Sequence, residues 1–155
     1  MPIKNYTSGV PVEKTILRIE MALITGGAIG IMKDYSDQKI DSISFSIPSL
    51  EKRLVAIRLP ANVEAVYQVF MSSMKRPQEG TEARLRDQAA RTAWKLVQDW
   101  VEIQMAMIKM KQAEFMQVFL PYIWDGKQTF YASLKEGNFK LLKEGKPGRD
   151  REQRP

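Results

Sequence analysis

Three carboxylates, Asp34, Asp37 and Asp41, crowd one short stretch of the chain. Oxygen ligands of this kind beside a turn suit a magnesium ion, and bound magnesium could activate a water to cut a phosphodiester. Acidic turns beside strands are ordinary, however, and the remaining residues give that chemistry no help. Neither histidine nor cysteine occurs in 155 residues. Imidazole acid-base pairs, Ser-His and Cys-His nucleophiles, the usual zinc, haem and copper sites, and disulfides are thereby excluded. Gly26-Gly27-Ala28-Ile29-Gly30 is no phosphate loop, because it lacks the spacing and the trailing Lys-Ser/Thr, and runs from a helix into a strand. A non-catalytic protein is expected, with no cofactor, no metal and no small-molecule substrate.

The basic residues point elsewhere. The formal charge is +6, which favours anionic partners. Lys33, Lys39, Lys52, Arg53 and Arg58 gather around a predicted hairpin, and Tyr35 stands among them. Cations beside an aromatic ring are what sequence-tolerant binding of a single strand uses: phosphate contacts from the former, base stacking from the latter. A second basic group, Lys75, Arg76, Arg84 and Arg86, surrounds a linker, and a third lies in the tail. If the first two share a face, phosphate contacts follow; acids interleave throughout, so a merely solvated surface is the alternative.

These residues must be positioned by an α+β fold. Residues 1–11, with Pro2, Gly9 and Pro11, read as an extended arm without signal peptide or membrane span; a cytoplasmic protein is expected. Ile16, Ile19 and Leu23 mark an amphipathic helix from Val12 that stops at Gly26-Gly27. Alternation then predicts an antiparallel meander: Ala28–Tyr35, Asp41–Ile47 and Arg53–Leu59, with Ile29, Ile31, Ile43, Phe45, Ile47, Val55 and Ile57 on one face. Both flanking helices are expected to pack there. The other face carries Gly30, Met32, Ser42, Ser44, Ser46, Ala56 and Arg58, small and rich in hydroxyls. Asn62 is a natural N-cap for a second helix reaching Met74.

The stretch Gly80–Val118 reads as one long helix with two apolar seams. The seam through Trp100 is expected to pack on its own chain. The seam through Trp94, Val97, Val101, Met105 and Ile108 is expected to seek a partner, making a homo-oligomer interface. A short helix around Phe130, Tyr131 and Leu134 follows, and residues 143–155 read as a disordered basic tail. The division is therefore an arm, one domain over 12–142 (helix, sheet, helix over 12–75, long helix over 80–118), and the tail.

The chain resembles a family of small uncharacterised proteins from bacteria, phages and other mobile elements. The likeness rests on Asn5-Tyr6-Thr7, Val12-Glu13-Lys14-Thr15, Gly27-Ala28, Ile43-Ser44-Phe45, Arg58-Leu59-Pro60-Ala61, Ala93-Trp94, Asp99-Trp100-Val101-Glu102 and Phe119-Leu120-Pro121-Tyr122. No established activity comes with it; the resemblance implies a setting, that of compact phage-type genes serving replication, recombination or regulation. The expected function is a nucleic-acid-binding accessory of such DNA metabolism, with single-stranded DNA the favoured partner. A self-assembling or protein-binding module built on the long helix is the alternative, and a nuclease using Asp34, Asp37 and Asp41 the third.

Overall fold

A computed structural model describes residues 4–48, 53–59 and 61–142. Pro11, whose φ of −57° suits the entry to a helix, precedes α1 (Val12–Thr25), and Glu13 in its first turn complements the helix dipole. The helix ends in a Schellman motif: Gly27, at φ 104°, donates its N–H to the Ile24 carbonyl, and the Ala28 N–H reaches the Leu23 carbonyl at 2.9 Å. The left-handed backbone there is why glycine stands at 27. Gly26 has a separate reason, since a Cβ on it would lie 2.6 Å from the sulfur of Met105.

The meander β1 (Gly30–Ser36), β2 (Lys39–Pro48) and β3 (Leu54–Leu59) is antiparallel in the order β1-β2-β3. Its first turn is the two-residue type that strand twist favours, with Asp37 at φ 49° and Gln38 at φ 63°. A register shift between Asp34 and Tyr35 pairs Tyr35 with Ile40 and leaves Asp41 as the extra residue. Strict alternation would have sent Asp41 toward the helices; the bulge returns Ile40 to that face instead. The registers Ile31 with Phe45, Phe45 with Ile57, Ile43 with Leu59 and Ile47 with Val55 form one apolar face, but Ile29, expected there, lies before β1 and is exposed.

That face meets α1 and the long helix α3 (Thr81–Lys109). Ile19, Leu23, Ile43, Ile57, Trp94, Val101 and Phe119 are wholly or almost wholly shielded from water in one cluster. Helix α2 (Val63–Ser72), capped by the Asn62 side chain on the Ala65 N–H at 3.0 Å, touches it through its first residue, Val63. Beyond that it packs on the first turns of α3 in a smaller cluster of Tyr67, Leu85 and Ala89. Only one of the two helices flanking the sheet therefore covers it.

The long helix is shorter than its apolar spacing predicts. It stops at Lys109 in a second Schellman motif, with Lys111 at φ 60° and the Gln112 N–H on the Met107 carbonyl at 2.9 Å. Glu114 and Gln117 then form a capping box that starts α4 (Phe115–Phe119). The reversal plugs aromatic rings into the core: Phe119 meets Phe45 at 5.5 Å and Trp100 at 5.6 Å, both edge to face. A 3₁₀ turn, Leu120–Tyr122, leads to Ile123, which bridges to Ile57, and the Trp124 N–H bonds the Ala56 carbonyl at 2.9 Å. The free edge of β3 is thus partly covered. Helix α5 (Phe130–Glu136), capped by Thr129, follows.

The arm is strapped to α3. Gln88 and Arg91 both donate to the Ser8 carbonyl at 3.1 Å, and the Thr92 hydroxyl donates to the Asn5 carbonyl at 2.9 Å. These bonds satisfy backbone carbonyls of a segment with no regular structure of its own. The expected tail, 143–155, lies outside the described residues. No helix among those described is long and apolar enough to cross a membrane.

Candidate nucleic-acid interface

The hairpin end leans against the first half of α3. Between them, closed at one end by the start of α1, lies a groove of about 490 Å³. Lys33, Tyr35, Gln38, Lys39 and Ile40 line it from the sheet, Val12, Glu13 and Ile16 from α1, and Asp87, Ala90, Arg91 and Trp94 from α3. A shallower depression continues from Lys39 to Glu82, Arg86 and Asp87. Of the linker group of basic residues, Arg86 therefore approaches the hairpin group at Lys39.

Each cation has its own setting. Lys33 faces α1 and holds the Glu20 carboxylate at 2.7 Å; that hydrogen bond keeps its ammonium charged beyond the usual lysine range. Arg86 bonds Glu64 at 2.6 Å and Glu82 at 3.3 Å, with its guanidinium 3.9 Å from the centre of the Tyr67 ring. Arg91 is oriented by Ser8 and by the Gln88 side chain at 2.7 Å. Lys39 makes no ion pair among the described residues. Tyr35 is 60 % exposed, its ring at the mouth of the groove. A flat ring, one free ammonium and a positioned guanidinium around an open groove can take a base and its neighbouring phosphates.

The six residues expected to bind do not form one site. Lys33, Tyr35 and Lys39 come together as expected from their place in one hairpin. Arg58 projects from the opposite face of the sheet, where its guanidinium lies 4.2 Å over the Trp124 ring. Arg53 is exposed at the other end of the sheet, before β3, and Lys52 lies outside the described residues. Arg91, not among the six, joins the group because α3 packs beside the hairpin.

The serine face also differs from expectation. Ser42 donates to Asp34 at 3.0 Å, Ser44 is buried with no partner for its hydroxyl, and both side chains are shielded within the strand rows. Exposed Met32, the Arg58–Trp124 stack and the half-buried Ser46 are what that face presents. Asp34 is thereby engaged, Asp37 sits in the turn and Asp41 at the bulge. The described residues hold no group of three or more carboxylates placed to share an ion.

The seam assigned to an oligomer partner is filled from within. Trp94 and Val101 are inaccessible, Val97 is nearly so, and Met105 and Ile108 pack on the same cluster. The reason is that α1 and the sheet together cover this side of α3, while Trp100 on the other seam is only half covered, by Phe119 and by Tyr122 at 5.3 Å. Trp94, Val97 and Val101 are core residues and offer no surface to a second chain. Compared with protein-family models, curated proteins and solved structures, the chain matches none.

Proposed function

We propose that the chain is a non-catalytic nucleic-acid-binding accessory protein that takes single-stranded DNA along the groove between the β1–β2 hairpin and α3. The observation that carries this reading is the convergence of Lys33, Tyr35 and Lys39 with Arg91 on one groove, continued by Lys39 toward Arg86. An exposed aromatic ring with cations nearby binds single strands with little regard to sequence, since every base has a π-face and every nucleotide a phosphate. The net charge of +6 adds a long-range attraction of the same sign. The resemblance to small proteins of phages and mobile elements supplies the setting, replication or recombination of their DNA in the cytoplasm.

Fluorescence anisotropy of labelled single- and double-stranded oligonucleotides at two salt concentrations tests it. Single-strand binding at about 50 mM salt that weakens steeply as salt rises is expected. No binding of either form at low salt sinks the proposal.

A further inference from the structure

Helix α1 is apolar on two opposite sides. Thr15, Ile16, Ile19 and Leu23 are buried against the sheet and α3, whereas Leu17, Met21 and Ile24 are 57 %, 59 % and 58 % exposed. The exposed residues follow at steps of four and three, which is the seam of a coiled coil, with Lys14 one step before them. In that register Glu13 and Glu20 flank the seam on one side and Arg18 and Thr25 on the other. Glu13 and Arg18 make no ion pair among the described residues.

We infer that a second copy of this chain docks on this face, the two α1 helices lying side by side and parallel. Charge decides both the occupant and the direction. A two-fold axis along the helices sets the acidic flank of one copy against the basic flank of the other, so Glu13 meets the partner's Arg18 twice over. An axis across the helices sets like charge against like, which is unfavourable. Leu17, Met21 and Ile24 then pack on their own equivalents, and Lys14 at the open end tolerates a neighbour because its ammonium reaches water. The contact spans only two turns of seam repeat, so it is a small interface that forms at high protein concentration. Its seam residues lie outside the groove, which the interface touches only at Glu13, so loss of dimerisation in a Leu17 variant leaves the nucleic-acid reading untouched.

Sedimentation velocity of the full chain from about 10 to about 500 µM reads the association. A concentration-dependent shift toward a dimer is expected. Leu17→Glu, at an exposed position, raises the dimer dissociation constant at least about tenfold while circular dichroism stays unchanged. Glu13→Arg and Arg18→Glu each weaken it about threefold, and the double variant restores it. Because the chain has no cysteine, Leu17→Cys alone forms a disulfide-linked dimer on mild oxidation. Cross-linking only in a mixture of Leu17→Cys and Ile24→Cys proteins means antiparallel pairing and overturns the inference. A monomer at every concentration, or a dimer indifferent to Leu17→Glu and to charge reversal, overturns it as well.

Discussion

The side-chain amide of Asn5 donates to the Asp99 carboxylate at 2.8 Å, joining residues ninety-four positions apart. Lys4 at 3.6 Å and Lys95 at 3.5 Å complete a half-buried cluster around that carboxylate. The bond carries structural weight because the arm has no ladder or helix of its own; its place on α3 depends on such side-chain contacts. Asn5→Ala is expected to cost about 1–2 kcal/mol, the range for a hydrogen bond to a charged group, and to speed hydrogen exchange in the arm. Thermal melts with exchange measurements on the two proteins check this.

Acid should release the same strap. Burial pushes the Asp99 carboxyl up, but the Asn5 amide and the Lys95 and Lys4 ammoniums outweigh it and hold the carboxyl below its usual range. A carboxyl that binds its proton less readily in the folded state adds stability above its unfolded pKa, near 4. That contribution is lost as pH falls through the lower folded value. Melting temperature followed from pH 6 downward should therefore drop less steeply in Asp99→Asn, which has nothing there to titrate. Parallel curves for the two proteins would remove Asp99 from the account.

The two Schellman motifs predict effects of opposite sign for removing and for introducing a glycine at positive φ. Gly27→Ala forces a Cβ into φ 104° and should destabilise by about 1–2 kcal/mol. Lys111→Gly relieves a side chain held at φ 60° and should stabilise by about 0.5–1 kcal/mol. Urea titrations of both variants read the two signs.

That lysine also explains what the amino-acid pattern concealed. The meander was legible because Ile43, Phe45 and Ile47 alternate against Val55, Ile57 and Leu59, and only one pleat phase buries them. The end of α3 was not, since no glycine or proline stands between Met110 and Glu114 and apolar residues continue at helical spacing. What ends the helix is the burial of Phe119 against Phe45, a contact across the fold that propensity does not encode. The same limit misassigned Trp94: two seams of similar apolarity look alike until α1 and the sheet close over one of them. The basic site was half readable, because Lys33, Tyr35 and Lys39 share a hairpin, while Arg91 joins only through packing.

Trp94 supplies a prediction that separates core from interface. It is wholly buried, so Trp94→Ala should cost about 3–5 kcal/mol in stability. Val97→Thr, a near-isosteric change beside it, leaves a hydroxyl to satisfy and should lower the melting temperature without altering sedimentation of the folded protein. A folded Trp94 or Val97 variant that changes oligomer size while keeping its stability would restore this seam as an interface.

Residues in the groove and residues outside it should part company in DNA binding. Lys39 has no ion pair among the described residues, so Lys39→Ala removes a cation that was free to displace a counterion. Affinity falls, and the slope of log affinity against log salt flattens by about 0.7, the contribution of one single-strand phosphate contact. Tyr35→Ala should cost about 1–3 kcal/mol of binding with the slope unchanged, because stacking involves no ion release. Arg58, on the far side of the sheet over Trp124, serves as the contrast: Arg58→Ala leaves both affinity and slope near the parent values. Anisotropy titrations of the three variants across a salt series measure all of this. If Arg58→Ala loses as much as Lys39→Ala, the strand runs over the serine face and the groove is not its path.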